Sequence, residues 1–295
     1  MNIDEYLRPV TFDNLETIDS FLKRYPSENC DFNICTIFTW GLLYKLEFAI
    51  HFDRLILFNP TYQFILAPVG EKMSASELYQ LNNCCQKIHK DVEILVVSEE
   101  YIKNTPNIGE YFTYRNDENW NDYVYSAESL VNLPGKKLAK KKNLISQFNR
   151  LHPDYTIKAI TSKDYDELME FSYYWRETQK IEGDYIDTEF EALKLSLKNW
   201  DLLPCEGMKL YVNGKICAFS IYSHQTNDMA MVHFEKYDPQ IKGAGQVINH
   251  ETAKTLYTKY KYINREQDIG DEGIRQAKRS YQPVRMVPFY RLKSK

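Results

Sequence analysis

Three groups of residues have side chains whose chemistry and spacing could serve a single reaction. The first is a turn, Gln240-Ile241-Lys242-Gly243-Ala244-Gly245, between an expected strand and an expected helix. A helix starting there leaves backbone N–H groups without intrahelical partners, and its dipole favours an anion in front of them. Glycine at 243 and 245 lets the backbone approach a phosphate with no Cβ in the way. Gln240, Lys242, Gly243, Ala244 and Gly245 are therefore the expected contacts of a phosphate-bearing donor; the competing reading is a plain tight turn. The second group is a pair of carboxylates, Glu235 and Asp268, expected at the ends of neighbouring strands beside that turn. Two carboxylates in one partly dry crevice repel, which raises the pKa of one and suits it to be a base near neutral pH. In the competing reading, Asp268 caps the following helix and Glu235 pairs with Arg265 or Lys236. The third group is basic. Arg275, Lys278 and Arg279 recur at i, i+3 and i+4 and so share a helix face, with Arg285 beyond them. Arginine can grip a phosphate with two parallel hydrogen bonds. Tyr281 could give a proton to a leaving group, or could be core filling in a chain with 23 tyrosines. His233 is expected as a hydrogen-bonded strand residue rather than a base. An anion clamp, a base and dipoles for an oxyanion are what acyl transfer requires.

Elements of ordinary type must position these groups. Phe12, Leu15, Ile18, Phe21 and Leu22 repeat at helical spacing and predict a helix over 11–25. Residues 46–58 and 62–69 read as two strands separated by Asn59-Pro60, followed by a helix capped by Ser74 or Ser76 and a buried strand at 92–97. The stretch 104–121 is polar and irregular apart from aromatic residues at 111–114. In the second half, helices are expected from Asp164 through Trp175 and from Glu189 to Trp200. A hairpin follows, strands 208–212 and 215–223 around Asn213-Gly214, the strongest short-range hairpin signal in the chain. A strand at 229–237, a helix at 246–260 and a strand at 261–264 complete it. Each half thus runs helix, strands, turn, helix, strand, which suggests a duplicated α/β unit. Between the halves, Lys136 to Arg150 contains six basic residues and no acidic one, with Leu138, Ile145 and Phe148 on one helical face. It reads either as a solvated connecting helix or as an anion-facing one, with Lys136, Lys137, Lys140 and Lys141 toward phosphate, lipid headgroup or RNA. The expected division is 1–132, a basic connecting helix at 133–152, and 153–295.

Composition sets the limits. The chain has 295 residues, 43% hydrophobic and 26% charged, which excludes disorder and small disulfide-stapled scaffolds. The formal net charge of −4 makes any attraction to nucleic acid or membrane a local one. No apolar run approaches the roughly 20 residues that cross a bilayer, and the amino terminus lacks a secretory pattern. The six cysteines show no zinc-ligand spacing, so reduced thiols, a cytoplasmic location and no metal are expected.

The turn is similar to the acetyl-CoA loop Gln/Arg-x-x-Gly-x-Gly/Ala of GNAT acyltransferases. The run Arg265-Glu266-x-Asp268-Ile269-Gly270-x-x-Gly273-Ile274-Arg275-x-Ala277-Lys278-x-Ser280-Tyr281-x-Pro283-x-Arg285 resembles the carboxyl-terminal signature of the phosphatidylglycerol lysyltransferase C-terminal domain family. Leu133-Pro134-Gly135-Lys136-Lys137 and His233-Phe234-Glu235-Lys236 are similar to that family's basic lead-in helix and central strand. The resemblance implies two tandem GNAT-like domains of α/β (α+β) class, each a mixed twisted sheet flanked by helices. It also implies transfer of an acyl or aminoacyl group, with acyl-CoA or aminoacyl-tRNA as donor and an amine or hydroxyl as acceptor. Characterised relatives act on a membrane lipid and usually carry a large transmembrane portion, so peripheral contact with anionic lipid, as in a soluble lysyl-tRNA- and lipid-dependent enzyme, is one implied variant. A binding or sensor protein that keeps the fold without turnover is the alternative from another class.

Overall fold

The computed structural model describes residues 5–88, 90–179 and 184–295. The chain divides into two compact units, residues up to Asp122 together with Val287–Lys295, and Tyr123–Met286.

The first unit is built on a seven-stranded sheet of order β1-β2-β3-β4-β5-β14-β6. Its strands are β1 (Arg8–Pro9), β2 (Glu47–His51), β3 (Arg54–Asn59), β4 (Phe64–Leu66), β5 (Glu93–Val97), β6 (Phe112–Asn116) and β14 (Tyr290–Ser294). The expected strand over 46–58 is in fact a hairpin, β2 against β3, turning at Phe52 and Asp53 with φ of 47° and 54°. β4 and β5 are parallel, and the helix Ala75–Gln86 makes the crossover that a parallel pair demands. That helix buries Leu78, Leu81 and Cys85 against Ile56, Phe58, Ile65 and Ile94 of the sheet.

The second unit repeats this scheme. Its sheet has the order β13-β7-β12-β11-β10-β9-β8. The strands are β7 (Asp122–Ser126), β8 (Thr156–Ala159), β9 (Cys205–Val212), β10 (Lys215–Thr226), β11 (Met229–Tyr237), β12 (Tyr262–Asn264) and β13 (Arg285–Val287). Asn213 and Gly214 form the hairpin turn with φ of 50° and 76°, as their types require. Met208, Leu210 and Val212 alternate into the core, and Val247, Ile248 and Leu256 meet them from the crossover helix Ala244–Tyr257 between the parallel strands β11 and β12. Helices Tyr165–Gln179 and Asp184–Lys198 lie where the sequence pattern put them, to within a few residues.

The division differs from the expected one in two ways. The basic helix Gly135–Leu151 belongs to the second unit: Leu138 and Phe148 are 2% and 0% exposed, and Phe148 lies in that unit's core. Burying such a phenyl ring is worth about 2 kcal/mol, so the helix is a structural member and not a bare connector. The final strand β14 returns to the first sheet between β5 and β6, so the carboxyl terminus belongs to the first unit.

Candidate functional site

The polar residues of the second unit converge around β11 and the chain that leaves β12. β11 carries Glu235 opposite Ser220 of β10. β12 runs parallel to β11 and ends at Asn264, and pairing with β7 continues through Arg265 N–H to Tyr123 O at 2.9 Å. Arg265 points back to Glu235, Nη2 to Oε1 at 2.6 Å, with the two side chains 15% and 13% exposed. Asn249, from the crossover helix, stands beside the pair; in the amide orientation that suits its neighbours its oxygen accepts from Arg265 Nη1 and, at 3.3 Å, from Nη2. Burial works against the Arg265 charge, yet Glu235 outweighs it and holds the guanidinium pKa above its usual value.

Two further residues close this centre. The Tyr281 ring lies 5.7 Å from the Arg265 guanidinium and 4.2 Å from the Lys141 ammonium, measured to the ring centroid. Such cation–ring contacts gain in strength where water is excluded. Burial pushes the Tyr281 phenol upward. Lys141 is the one lysine of its basic run that turns inward, and partial burial, with Lys140 and Arg265 nearby, lowers its pKa. One carboxylate against two cations leaves these three groups with a formal charge of +1.

Asp268 belongs to a different arrangement, and its expected role as a base is corrected. It is 1% exposed and receives two hydrogen bonds from Arg275, Nε to Oδ2 at 2.8 Å and Nη2 to Oδ1 at 2.9 Å. Tyr123 Oη donates to Oδ2 at 2.6 Å and Gly270 N–H to Oδ1 at 2.9 Å. Burial alone would raise its pKa, but these donors hold the carboxyl down at about 2, opposite in direction to a base near neutral pH. It is not a helix cap either: Asp271 takes that place, accepting from Ile274 N–H at 2.8 Å. Arg275 is correspondingly spent on Asp268 and Glu272, and Lys278 donates to the Gln267 carbonyl. The expected anion clamp of Arg275 and Lys278 is therefore a fastening of the helix Glu272–Arg279 to the loop before it. Arg279 remains exposed, and Arg285 stacks over Tyr262 at 5.2 Å.

The model of the family described as "Phosphatidylglycerol lysyltransferase, C-terminal" matches this chain over residues 22–293. The chain belongs to that family. A crystal structure of a conserved protein of unknown function from Bacteroides thetaiotaomicron is similar with a TM-score of 0.91 at 31% identity, covering 98% of this chain and 99% of that one. The C-terminal domain of a putative lysylphosphatidylglycerol synthetase from Agrobacterium fabrum matches at TM-score 0.67 and 14% identity, covering 95% and 91%. L-PGS from Bacillus licheniformis matches at 0.66 and 16%, covering 94% and 91%. The two units share one mixed α/β scheme, a sheet flanked by helices, and the family's description is that of an aminoacyltransferase's C-terminal part.

Within this phosphatidylglycerol lysyltransferase C-terminal fold, the expected phosphate turn is filled from inside. Gly243 has φ of 90°, and a Cβ there would lie 2.7 Å from the Leu144 carbonyl oxygen of the basic helix. A Cβ on Gly245 would lie 2.8 Å from the Tyr237 ring. Gly243, Ala244 and Gly245 are all buried. Among the backbone N–H groups, Gln240 donates to Asp238 Oδ1 at 2.9 Å, Ile241 to the Asp238 carbonyl at 3.2 Å and Ala244 to the Ile241 carbonyl at 3.1 Å. Both glycines thus answer to close approach of neighbouring groups, and two of the expected phosphate contacts, Gln240 and Ala244, have internal acceptors for their N–H groups. The side chains of Gln240 and Lys242 remain exposed, as do Lys136, Lys137 and Lys140 on the outer face of their helix.

The sequence reading missed Arg265 as a site residue, although Arg265-Glu266-x-Asp268 stood in the family signature. It also missed a second polar line, Ser223, His233 and Glu266, because the irregularity that turns His233 toward both partners is a matter of strand register. Among the described residues no group of three or more His, Cys, Asp or Glu is placed to hold a metal, and no helix is long and apolar enough to cross a membrane.

Proposed function

We propose that this protein is an aminoacyltransferase that takes an ester-linked aminoacyl group from a polynucleotide donor, charged tRNA, and passes it to an amine or hydroxyl acceptor. The observation that carries the reading is the half-buried centre of Glu235, Arg265, Lys141 and Tyr281. Arg265 and Lys141 supply positive charge where a tetrahedral oxyanion develops, in surroundings that exclude much of the water. Glu235 receives the acceptor's ammonium group or its proton. Tyr281, kept protonated by burial, donates to the leaving hydroxyl of the donor. Lys136, Lys137 and Lys140, exposed along one helix, suit the phosphates of a polynucleotide. The row of exposed lysines favours this donor over acyl-CoA, because a polynucleotide offers many phosphates along its length and acyl-CoA few.

The test is binding and turnover measured side by side for charged tRNA, uncharged tRNA and acetyl-CoA, with release of the amino acid to a primary amine as readout. Charged tRNA should bind and turn over, and Glu235→Gln should lower turnover by about 10²-fold with binding nearly kept. Replacing Lys136, Lys137 and Lys140 by Gln should reduce the salt slope of tRNA binding by roughly 2 to 3. Saturable binding with no turnover would identify a binding protein instead, and stabilisation by acetyl-CoA alone would reverse the choice of donor.

A further inference from the structure

We infer that Ser223, His233 and Glu266 form a nucleophile–base–carboxylate line able to take a short acyl group onto Ser223 Oγ. None of the three belongs to the centre invoked above, and the inference stands apart from the identity of the donor.

The three residues come from neighbouring elements of one sheet. Ser223 is near the end of β10, opposite Met231 of β11. The register of β10 against β11 slips between Ile221 and Tyr222, which face Phe234 and Val232, so His233 is the extra residue between them. A bulge of this kind re-aims the side chain it carries. His233 Nε2 lies 2.8 Å from Ser223 Oγ, and Nδ1 lies 3.0 Å from Glu266 Oε1. Glu266 sits just beyond β12 at φ of 58°, a conformation few glutamates adopt. Two backbone contacts hold it there: its N–H donates to Asn264 Oδ1 at 2.7 Å, and its carbonyl accepts from Tyr123 N–H at 3.2 Å.

The protons follow from the acceptors. A carboxylate can only accept, so Nδ1 carries the hydrogen facing Glu266 and Nε2 presents its lone pair to the serine hydroxyl. Another acceptor near that hydroxyl, the His224 carbonyl, lies at 3.3 Å. A nucleophile in reach of a base that is itself oriented by a third group is the geometry that activates a hydroxyl. Ser223 is 4% exposed and the His233 side chain 5%, which restricts the acyl group to a small one such as acetyl.

The step balances as an ester exchange. Ser223 Oγ bonds to the carbonyl carbon, its proton passes to His233 Nε2, the carbon–oxygen bond to the leaving alkoxide breaks, and Nε2 returns the proton to that alkoxide. Glu266 is a positioning residue, stabilising the imidazolium without touching the ester.

The experiment treats the full chain with p-nitrophenyl acetate and follows p-nitrophenolate release together with the mass of the Ser223 peptide. We expect one acetyl group on Ser223 and a stoichiometric burst that Ser223→Ala abolishes. His233→Gln should slow the burst by about 10²-fold or more, and Glu266→Gln by at least about 10-fold. An unmodified Ser223 peptide in the folded wild-type protein overturns the inference, and this readout does not depend on any variant folding. An unchanged burst in folded His233→Gln, with the fold checked by circular dichroism, overturns it equally.

Discussion

Both units make one strand–helix–strand crossover, β4 to β5 through Ala75–Gln86 and β11 to β12 through Ala244–Tyr257, and they begin that helix in opposite ways. In the first unit Ser74 caps the helix and Glu77 folds back, its Oε2 accepting from Ser74 N–H at 2.7 Å and from Ser74 Oγ at 2.8 Å. The Glu77 carboxylate, held below its usual pKa chiefly by that backbone hydrogen bond, sits where an external anion would go. In the second unit the cap is Gly243, which has no side chain to fold back, and none of the described residues in the first turn is acidic. The strands differ in the same sense. β4 is Phe64-Ile65-Leu66 and most of β5 is apolar, whereas β11 carries His233 and Glu235, and Arg265 and Glu266 follow β12. The first unit has a cleft of about 560 Å³ lined by Glu28, Glu71, Lys72 and Glu100 among apolar residues, with neither histidine nor arginine. One scheme thus begins its crossover helix with a self-made cap in the first unit and carries the Glu235–Arg265 and His233–Glu266 pairs in the second.

If the second crossover is held by close approach rather than by a cap, Gly243→Ala should be the most damaging of the simple changes. The new Cβ meets the Leu144 carbonyl at 2.7 Å and Phe148 Cβ at 3.0 Å, and φ of 90° is hostile to any L side chain. Strain and overpacking together should cost about 3 kcal/mol or more, read as a shift in urea midpoint. Gly214→Ala is the matched control: its φ of 76° is also positive, but nothing lies within 4 Å of the added Cβ. Its cost should stay near 1–2 kcal/mol, that of the left-handed conformation alone. Equal losses in the two variants would mean that contact with the basic helix is not what fixes the turn.

The next effect sharpens the comparison through pH. Asp268 has its folded pKa depressed to about 2, so its contribution to stability is fully present above the unfolded value near 4. That contribution is lost as pH falls from 4 through 2. Asp268→Asn should therefore cost about 2 kcal/mol at neutral pH, with wild type and variant converging below pH 4. A gap between the two that stays constant from pH 7 to pH 2 would show that Asp268 stabilises by shape and not by charge.

These residues also show what the sequence could reveal. Asn213-Gly214 announced its hairpin because both positions need positive φ, which those residue types accept. Phe52-Asp53 turns the chain with φ values just as positive and gave no signal, because a phenylalanine does not announce a left-handed position. The helix at 135–151 was legible as a helix, but its place in a core depends on Gly243 lying against Leu144, 99 positions earlier in the chain (243 − 144 = 99). The pairing of Glu235 with Arg265 was one of two readings that spacing allowed, and Asp268 with Arg275 was not among them, because a basic helical face looks the same whether its charges are free or already bound. The return of β14 to the first sheet had no local signature at all.

The smallest expected effect tests the first unit's half of the comparison. The Ser74 hydroxyl accepts from Glu77 N–H at 3.3 Å and donates to the Glu77 carboxylate, so Ser74→Ala removes both side-chain contacts and leaves only the backbone bond from residue 74 to Glu77. The loss should be about 1 kcal/mol, typical of a capping residue. Ser74→Gly should lose less, because glycine tolerates the cap conformation and lets water reach the exposed N–H groups. A self-made cap also predicts a change in ligand preference. With Ser74 gone and Glu77→Gln added, the first crossover helix presents uncompensated N–H groups of the kind that hold anions. Isothermal titration with inorganic phosphate should then show weak binding in the double variant and none in wild type. If the double variant ignores phosphate while losing the expected stability, Glu77 serves only to complete the cap, and the difference between the two units lies in their strands rather than in how their helices begin.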